Sequence, residues 1–208
     1  QYVSQVLKRD VPRSAGRTVM AHLGNGASVC ATTDHQSRAT TMGFSALDGL
    51  MMGTRSGALD PGVLLYLMEQ GWGHDAIQKL LYKQSGLLGV SGESADMRTL
   101  RASASDAARF ATDLFAHRVV REVGALSACI GGLDVLAFTG GIGEHDGVLR
   151  DQVGKALAYL GVQIDAGRNA KALGEQPMSI HADNSAIEVW VIPTDEGRVA
   201  AQDALVFL

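Results

Sequence analysis

The sequence is short of several features that commonly announce a function. It has only two cysteines, Cys30 and Cys129, far apart and in no C-x-x-C pair. That excludes a disulfide framework, and two thiols in a chain of this size suit a reducing compartment. Positive charge is not in excess: 18 Lys and Arg against 22 Asp and Glu leave a net charge of -4. No overall positive field draws nucleic acid, so an anionic ligand has to be held by local donors. No apolar run is long enough to cross a bilayer, and no signal-peptide pattern opens the chain. Six histidines give neither H-E-x-x-H nor a Cys/His metal spacing. A P-loop is missing too, because Gly154-Lys155 is followed by Ala156. The two G-x-G pairs run on to Val29 and Asp146 where a dinucleotide fingerprint needs glycine. "GES" and "TRS" are not nucleophile elbows.

What is present is a globular composition, 46% hydrophobic and 19% charged, in 208 residues. That length and balance can bury one substantial core. Residues 1–17 read as polar and irregular. "TVMAHL" and "ASVCATT" read as strands around the turn "GNG", and "SRATTMGF" as a third strand after "DHQ". Asp60, Pro61 and Gly71 supply the cap, first position and stop of a helix. A second helix sets Ile77, Leu80 and Leu81 on one face. A long one over about 105–130 carries Phe110, Leu114, Phe115, Val119, Val123, Leu126 and Ile130 at the helical period. "DVLAF" reads as a buried strand, "TGGIG" as a glycine turn, and 147–160 as a helix facing inward through Leu149, Val153, Leu157 and Leu160. "IEVWVI" and a last helix in "PTDEGRVAAQDALVFL" close the chain. This order predicts one α/β domain, a mixed sheet with flanking helices.

Three segments share a design: "AHLGNGAS", "FTGGIGEH" and "IPTDEG" each follow a strand with small residues and leave polar atoms at its carboxyl end. Open α/β sheets bind ligands at such ends, and glycine lets backbone amides approach phosphate oxygens. The helix after "GGIG" would add its N-terminal partial charge. Each segment also has a quieter explanation. The first is a hairpin turn, the second a tight strand–helix connection, and Asp96 with Arg98 in "ADMR" a solvated helix start. His22 reads equally as a core histidine, and Glu196 as a surface carboxylate complementing a helix dipole. Arg55, in "GLMMGTRSGALDP", stands apart. It sits among glycine, threonine and serine with no acid beside it, which points to an anion as its partner.

Together, "HLGNGAS", "TTMGFSALDGLMMGTRSGALDPG", "SGESADMR", "FTGGIGEHDGVLR" and "PTDEGRVAAQDA" resemble the acetate kinase family, the acetate and propionate kinases, in order and spacing. The likeness covers nearly all of this chain but only the carboxyl-terminal part of the family's length, and the chain begins with Gln1. The resemblance implies an actin/sugar-kinase/heat-shock-ATPase domain, ribonuclease H-like in its sheet. Residues 1–208 would be the carboxyl-terminal nucleotide-binding domain of a two-domain kinase, its amino-terminal domain absent. The implied activity is reversible, Mg2+-dependent phosphorylation of a short carboxylate by ATP, giving an acyl phosphate and ADP. Acetate, propionate and butyrate all stay open as the acceptor. A cytoplasmic homodimer that binds neither nucleic acid nor membrane is implied as well.

Carried over, His22, Leu23, Gly24, Asn25 and Gly26 would wrap the phosphates, and Asp96, Met97 and Arg98 would approach the adenosine. Gly141, Ile142, Gly143, Glu144 and His145 would border adenine and ribose, Glu196 would place the magnesium, and Arg55 would stabilise the phosphoryl group in transfer. His145 stands where the family usually has asparagine. The family's other catalytic groups lie in the domain missing here: an aspartate, a second arginine, an asparagine, a lysine and a histidine. The alternative is therefore that this chain alone is an inactive nucleotide-binding or dimerisation module.

Overall fold

The computed structural model describes residues 2–195. Its centre is a six-stranded sheet in the order β3-β2-β1-β4-β6-β5. The strands are β1 (Thr18–Leu23), β2 (Ala27–Thr33), β3 (Gln36–Thr40), β4 (Val135–Thr139), β5 (Met178–Ser179) and β6 (Glu188–Val191). The first three form the expected antiparallel meander, β4 and β6 run parallel to β1, and β5 closes the far edge antiparallel. The mixed sheet is therefore as the sequence predicts, with β1 and β2 matching residue for residue. The third strand stops at Thr40 and leaves Phe44 fully exposed. The two hairpin turns differ from expectation. Positive φ falls at Asp34 and His35 (52° and 59°), as a type I′ turn requires. Gly24-Asn25-Gly26 turns without it, closed by a bond from Gly24 N to Gly26 O at 3.0 Å.

Alternation along the strands makes two apolar faces. Val19, Ala21, Leu23, Leu136, Phe138, Val189 and Val191 belong to the larger core, while Met20, Val135, Ala137 and Trp190 belong to a smaller one. The smaller face is covered by a helix where the sequence reads as irregular: α1 (Tyr2–Asp10), followed by a 3-10 turn at Pro12–Ala15. Tyr2, Val3, Val6 and Leu7 recur at helical spacing and pack on Val135, Ala137 and Ile192. The stripe is short, so tertiary burial makes the helix rather than local propensity.

The later helices, which with one exception each bury at least one residue, are α2 (Pro61–Glu69), α3 (His74–Lys83), α4 (Gly86–Ser91), α5 (Met97–Ala102), α6 (Asp106–Cys129), α7 (Gly140–His145), α8 (Gly147–Ala156) and α9 (Ala166–Lys171), and buried residues of α4, α5, α6 and α8 join the larger core. The exception is α2, which buries no residue. It nevertheless starts as predicted, Asp60 accepting from Gly62 N with Pro61 in the first turn. The long α6 is capped by Ser105, which accepts from Ala108 N. Its buried line includes Phe115, Val119, Val123 and Leu126, but Phe110, at the same helical period, is 62% exposed. In α8, Leu149 and Val153 are buried, and the helix ends at Ala156, ahead of a 3-10 turn at Ala158–Leu160. At the amino end of the parallel strands, Asp134 accepts from Arg17 N, Nε and Nη2 at 2.8, 2.9 and 2.6 Å. The bonds from the Arg17 side chain are the chief cause holding its carboxyl down to about 2. No helix among the described residues is long and apolar enough to cross a membrane.

Candidate functional site

Because β1, β4 and β6 are parallel, their carboxyl ends share one edge, and all three loops singled out from the sequence leave from it. Gly140 fixes the junction between the first two. At its φ of 77° a side chain would be strained, and a Cβ would lie 2.7 Å from Leu23 O. The chain continues directly into α7, so "GGIG" is helix and not the open turn expected. Its first amide is already used, since Gly140 N donates to Glu144 Oε1 at 2.8 Å. The same oxygen accepts from Thr194 N at 2.9 Å and Thr194 Oγ1 at 2.8 Å. Glu144 is thus a buried carboxylate that fastens the end of β6 to the end of β4 through neutral donors.

The Arg55 segment meets this edge. Gly53 N donates to Asn25 O at 3.1 Å, and a Cβ on Gly53 would collide with Asn25 Oδ1 and crowd Ala95 O. A Cβ on Gly26 would be 3.9 Å from Arg55 Nη1, and one on Gly24 would be 3.9 Å from Gly141 N. Four segments distant in sequence therefore converge within van der Waals range. The Arg55 loop is anchored along its length: Met52 N donates to Arg55 O, Leu87 N to Met52 O, Leu88 N to Gly53 O, Ser85 N to Thr54 O and Ser56 N to Leu81 O. Arg118 Nη2 ties its neck through Ala58 O at 3.1 Å.

Beside this convergence opens a cavity of about 1040 Å3. Its floor carries Gly24 and Asn25; Asp96, Met97, Arg98 and Arg101 form one wall; Gly141, Ile142, His145 and Asp146 form the other. The remaining expected residues lie behind it or beside it. Leu23, Gly143 and Glu144 are buried, His22 is half-buried on β1, and Gly26 is exposed toward Arg55. Met97 reaches the cavity but is itself 3% exposed, a core residue. Glu196 and the final helix lie outside the described residues.

The charges around the cavity are sorted. Arg98 pairs with Asp96 at 2.6 Å, a contact that holds the Asp96 carboxyl down to about 2 while Asp96 also accepts from Arg98 N as the cap of α5. The solvated helix start read from "ADMR" is therefore there as well. Arg101 pairs with Asp146. Arg150, 1% exposed, donates to five acceptors: Asn169 Oδ1 and the carbonyls of Gly143, Glu144, Asn169 and Ala172. Burial pushes the pKa of this guanidinium down from its usual value. Arg55 differs from all three. Its Nη1 donates to Ala46 O at 3.1 Å and touches Met52 Sδ at 3.8 Å, and among the described residues no carboxylate pairs with it. Arg101, Arg150 and the fastening role of Glu144 were not found from the sequence; their partners lie 45, 19 and 50 residues away.

Small-residue turns at the carboxyl edge of a mixed sheet, a cavity whose carboxylates pair with arginines, and a half-buried arginine beside the Gly24–Gly26 turn are the features of an α/β domain suited to a phosphate-bearing ligand. Comparison with known proteins makes the class specific. The sequence profile of the Acetokinase family matches residues 1–202, and the chain belongs to that family. It is 54% identical to an acetate kinase of Rhodopseudomonas palustris over 188 residues, covering 90% of this chain and 47% of the relative. It is 46% identical to one of Rickettsia prowazekii over 213 residues, covering 100% and 54%. Among solved structures, it superposes on the acetate kinase of Porphyromonas gingivalis with a TM-score of 0.90 at 37% identity, over 98% of this chain and 52% of that one. A propionate kinase from Francisella tularensis gives 0.88 at 39%, over 97% and 52%. The fold is accordingly the actin/sugar-kinase/heat-shock-ATPase type. The chain spans about half the length of the relatives it matches.

Proposed function

We propose that this chain is the carboxyl-terminal, nucleotide-binding domain of a two-domain carboxylate kinase. The whole protein would transfer the terminal phosphoryl group of ATP, reversibly, to acetate or a slightly longer acid. The observation that carries this reading is Arg55: half-buried, anchored, unpaired with any described carboxylate, and beside the Gly24–Gly26 turn. Base and ribose lie between Met97–Arg98 and Ile142–His145, and the phosphates pass over Gly24 to Gly26 toward Arg55.

An oxygen of the acid attacks the terminal phosphorus in line. The bond to the bridging oxygen breaks, and ADP leaves with its electron pair. Negative charge spreads over the equatorial oxygens, which a planar guanidinium meets with paired donors. Because the Arg55 loop is already bonded on both sides, little reorganisation accompanies the transfer. The carboxylates lining the cavity, Asp96 and Asp146, are taken up by arginines. Among the described residues no group of three or more His, Cys, Asp or Glu could hold a metal. Mg2+ would be carried in on the phosphates, with Glu196 as its expected contact, and would neutralise charge on the β- and γ-phosphates.

The acid's pocket would be shared with the amino-terminal domain, and the protein would work in the cytoplasm as a homodimer. With ATP, Mg2+ and acetate, the whole protein should form acyl phosphate that hydroxylamine traps as the hydroxamate, and this chain alone should form none. Turnover by the isolated chain would refute the division of labour, and none from the whole protein would refute the kinase reading.

A further inference from the structure

The cavity's two walls come from distant parts of the chain, and one side chain spans them. Arg101, on the last turn of α5, donates through Nε to Asp146 Oδ2 at 3.0 Å and through Nη2 to Gln152 Oε1 at 3.1 Å. Gln152 passes the connection on, its Nε2 donating to Asp113 Oδ1 on α6 at 2.9 Å. Asp146 divides its oxygens. While Oδ2 takes Arg101, Oδ1 accepts from Leu149 N at 2.9 Å and caps α8. The side chains of Arg101 and Asp146 are 23% and 10% exposed, so water screens the pair only partly. Both residues line the cavity, whereas Arg55 does not.

We propose that Arg101 and Asp146 are positioning residues, a guanidinium–carboxylate brace that sets the spacing of the slot for the nucleoside. This rests on the nucleotide reading above. A flat base between two walls gains from contact on both faces, and that gain is lost within a fraction of an ångström of separation. α5 reaches the α7–α8 wall through this pair, while α7 and α8 are held to each other by chain continuity and by Arg150. The Arg101 charge is neutralised by Asp146, so it does not compete with Arg55 for phosphate. The brace therefore acts on the nucleoside half of the ligand and not on the phosphate half.

That division gives the test, made on the whole protein with two probes, ADP and inorganic tripolyphosphate. Asp146→Asn keeps a helix-capping side chain and removes the ion pair; Arg101→Gln removes it from the other side. Each should weaken ADP about tenfold, equivalent to about 1.4 kcal/mol, with tripolyphosphate affinity unchanged. The double variant should be no worse than either single one, since both remove the same interaction. Arg101→Lys should recover part of the loss. Equal weakening of both probes, additive losses, or a lower melting temperature with ADP affinity intact would each overturn the brace. Failure of the unsubstituted protein to bind ADP would overturn the nucleotide reading, and the brace with it.

Discussion

In the proposed kinase, Arg55 would carry the chemistry because of what does not surround it. Three other arginines at or behind the cavity are spent on Asp96, Asp146 or buried carbonyls. The Arg55 guanidinium makes one backbone hydrogen bond and a sulfur contact, which leaves donors for a ligand. Its contribution should therefore appear in the transition state more than in binding. In the whole protein, Arg55→Ala should lower kcat by about 10³ or more while the dissociation constant for ADP changes far less, checked by steady-state kinetics beside calorimetry. Arg55→Lys should recover little, because an ammonium cannot match two oxygens at once. Equal losses in kcat and ADP affinity would make Arg55 a binding residue only. Arg55 stands out in the sequence because its signal is local, an arginine among small residues with no acid nearby, and the structure bears out only that no described carboxylate pairs with it. Glu144 gives no local signal. It sits in the same glycine segment, yet its role depends on Thr194, 50 positions away, and nothing in "GIGEH" distinguishes a nucleotide contact from an internal fastener.

At the scale of elements, α7 is the least self-sufficient part of the site. It has six residues, three of the first four being glycine, and little propensity of its own. Two buried side chains hold it. Glu144 secures its first amide, and Arg150 accepts nothing but donates to the carbonyls of Gly143 and Glu144 at its end. Arg150→Met would remove a charge already disfavoured by burial but would leave several buried carbonyls without donors. The second effect should win, at a cost of about 3 kcal/mol or more. That is roughly 6–12 °C of melting temperature in a domain this size, measurable by calorimetry, with ADP affinity falling alongside as the α7 wall loosens. A variant as stable as the parent would mean that water replaces the guanidinium. Long periodic elements such as α6, and the strands β1 and β2, were plain in the sequence because burial repeats along them. α1 and the helical form of "GGIG" were not, because their stability is supplied by Val135, Ile192, Glu144 and Arg150, all remote or unreadable as partners from spacing alone.

The whole molecule has a surface that this chain does not cover. α2 buries none of its residues, and Leu65, Tyr66 and Met68 are 63%, 59% and 57% exposed, with Leu59 and Trp72 at its ends each 41% exposed. A nine-residue helix is marginal in water by itself. Contiguous apolar surface of this kind marks a contact with another protein surface. The sequence made α2 legible as a helix through its cap and its proline, but not its surroundings, since an apolar helix face reads the same whether it meets its own core or another chain. In the homodimer proposed above, this face would meet a second copy, and the side with Asn25, Arg55 and Arg98 would be left for the other half of the protein to close over. Leu65→Glu in the whole protein should then shift sedimentation from dimer to monomer at micromolar concentration. Folding of this domain should survive, since the larger core loses no member. A dimer that persists, with kcat collapsing instead, would place α2 under the amino-terminal half of the same chain and move the twofold contact elsewhere.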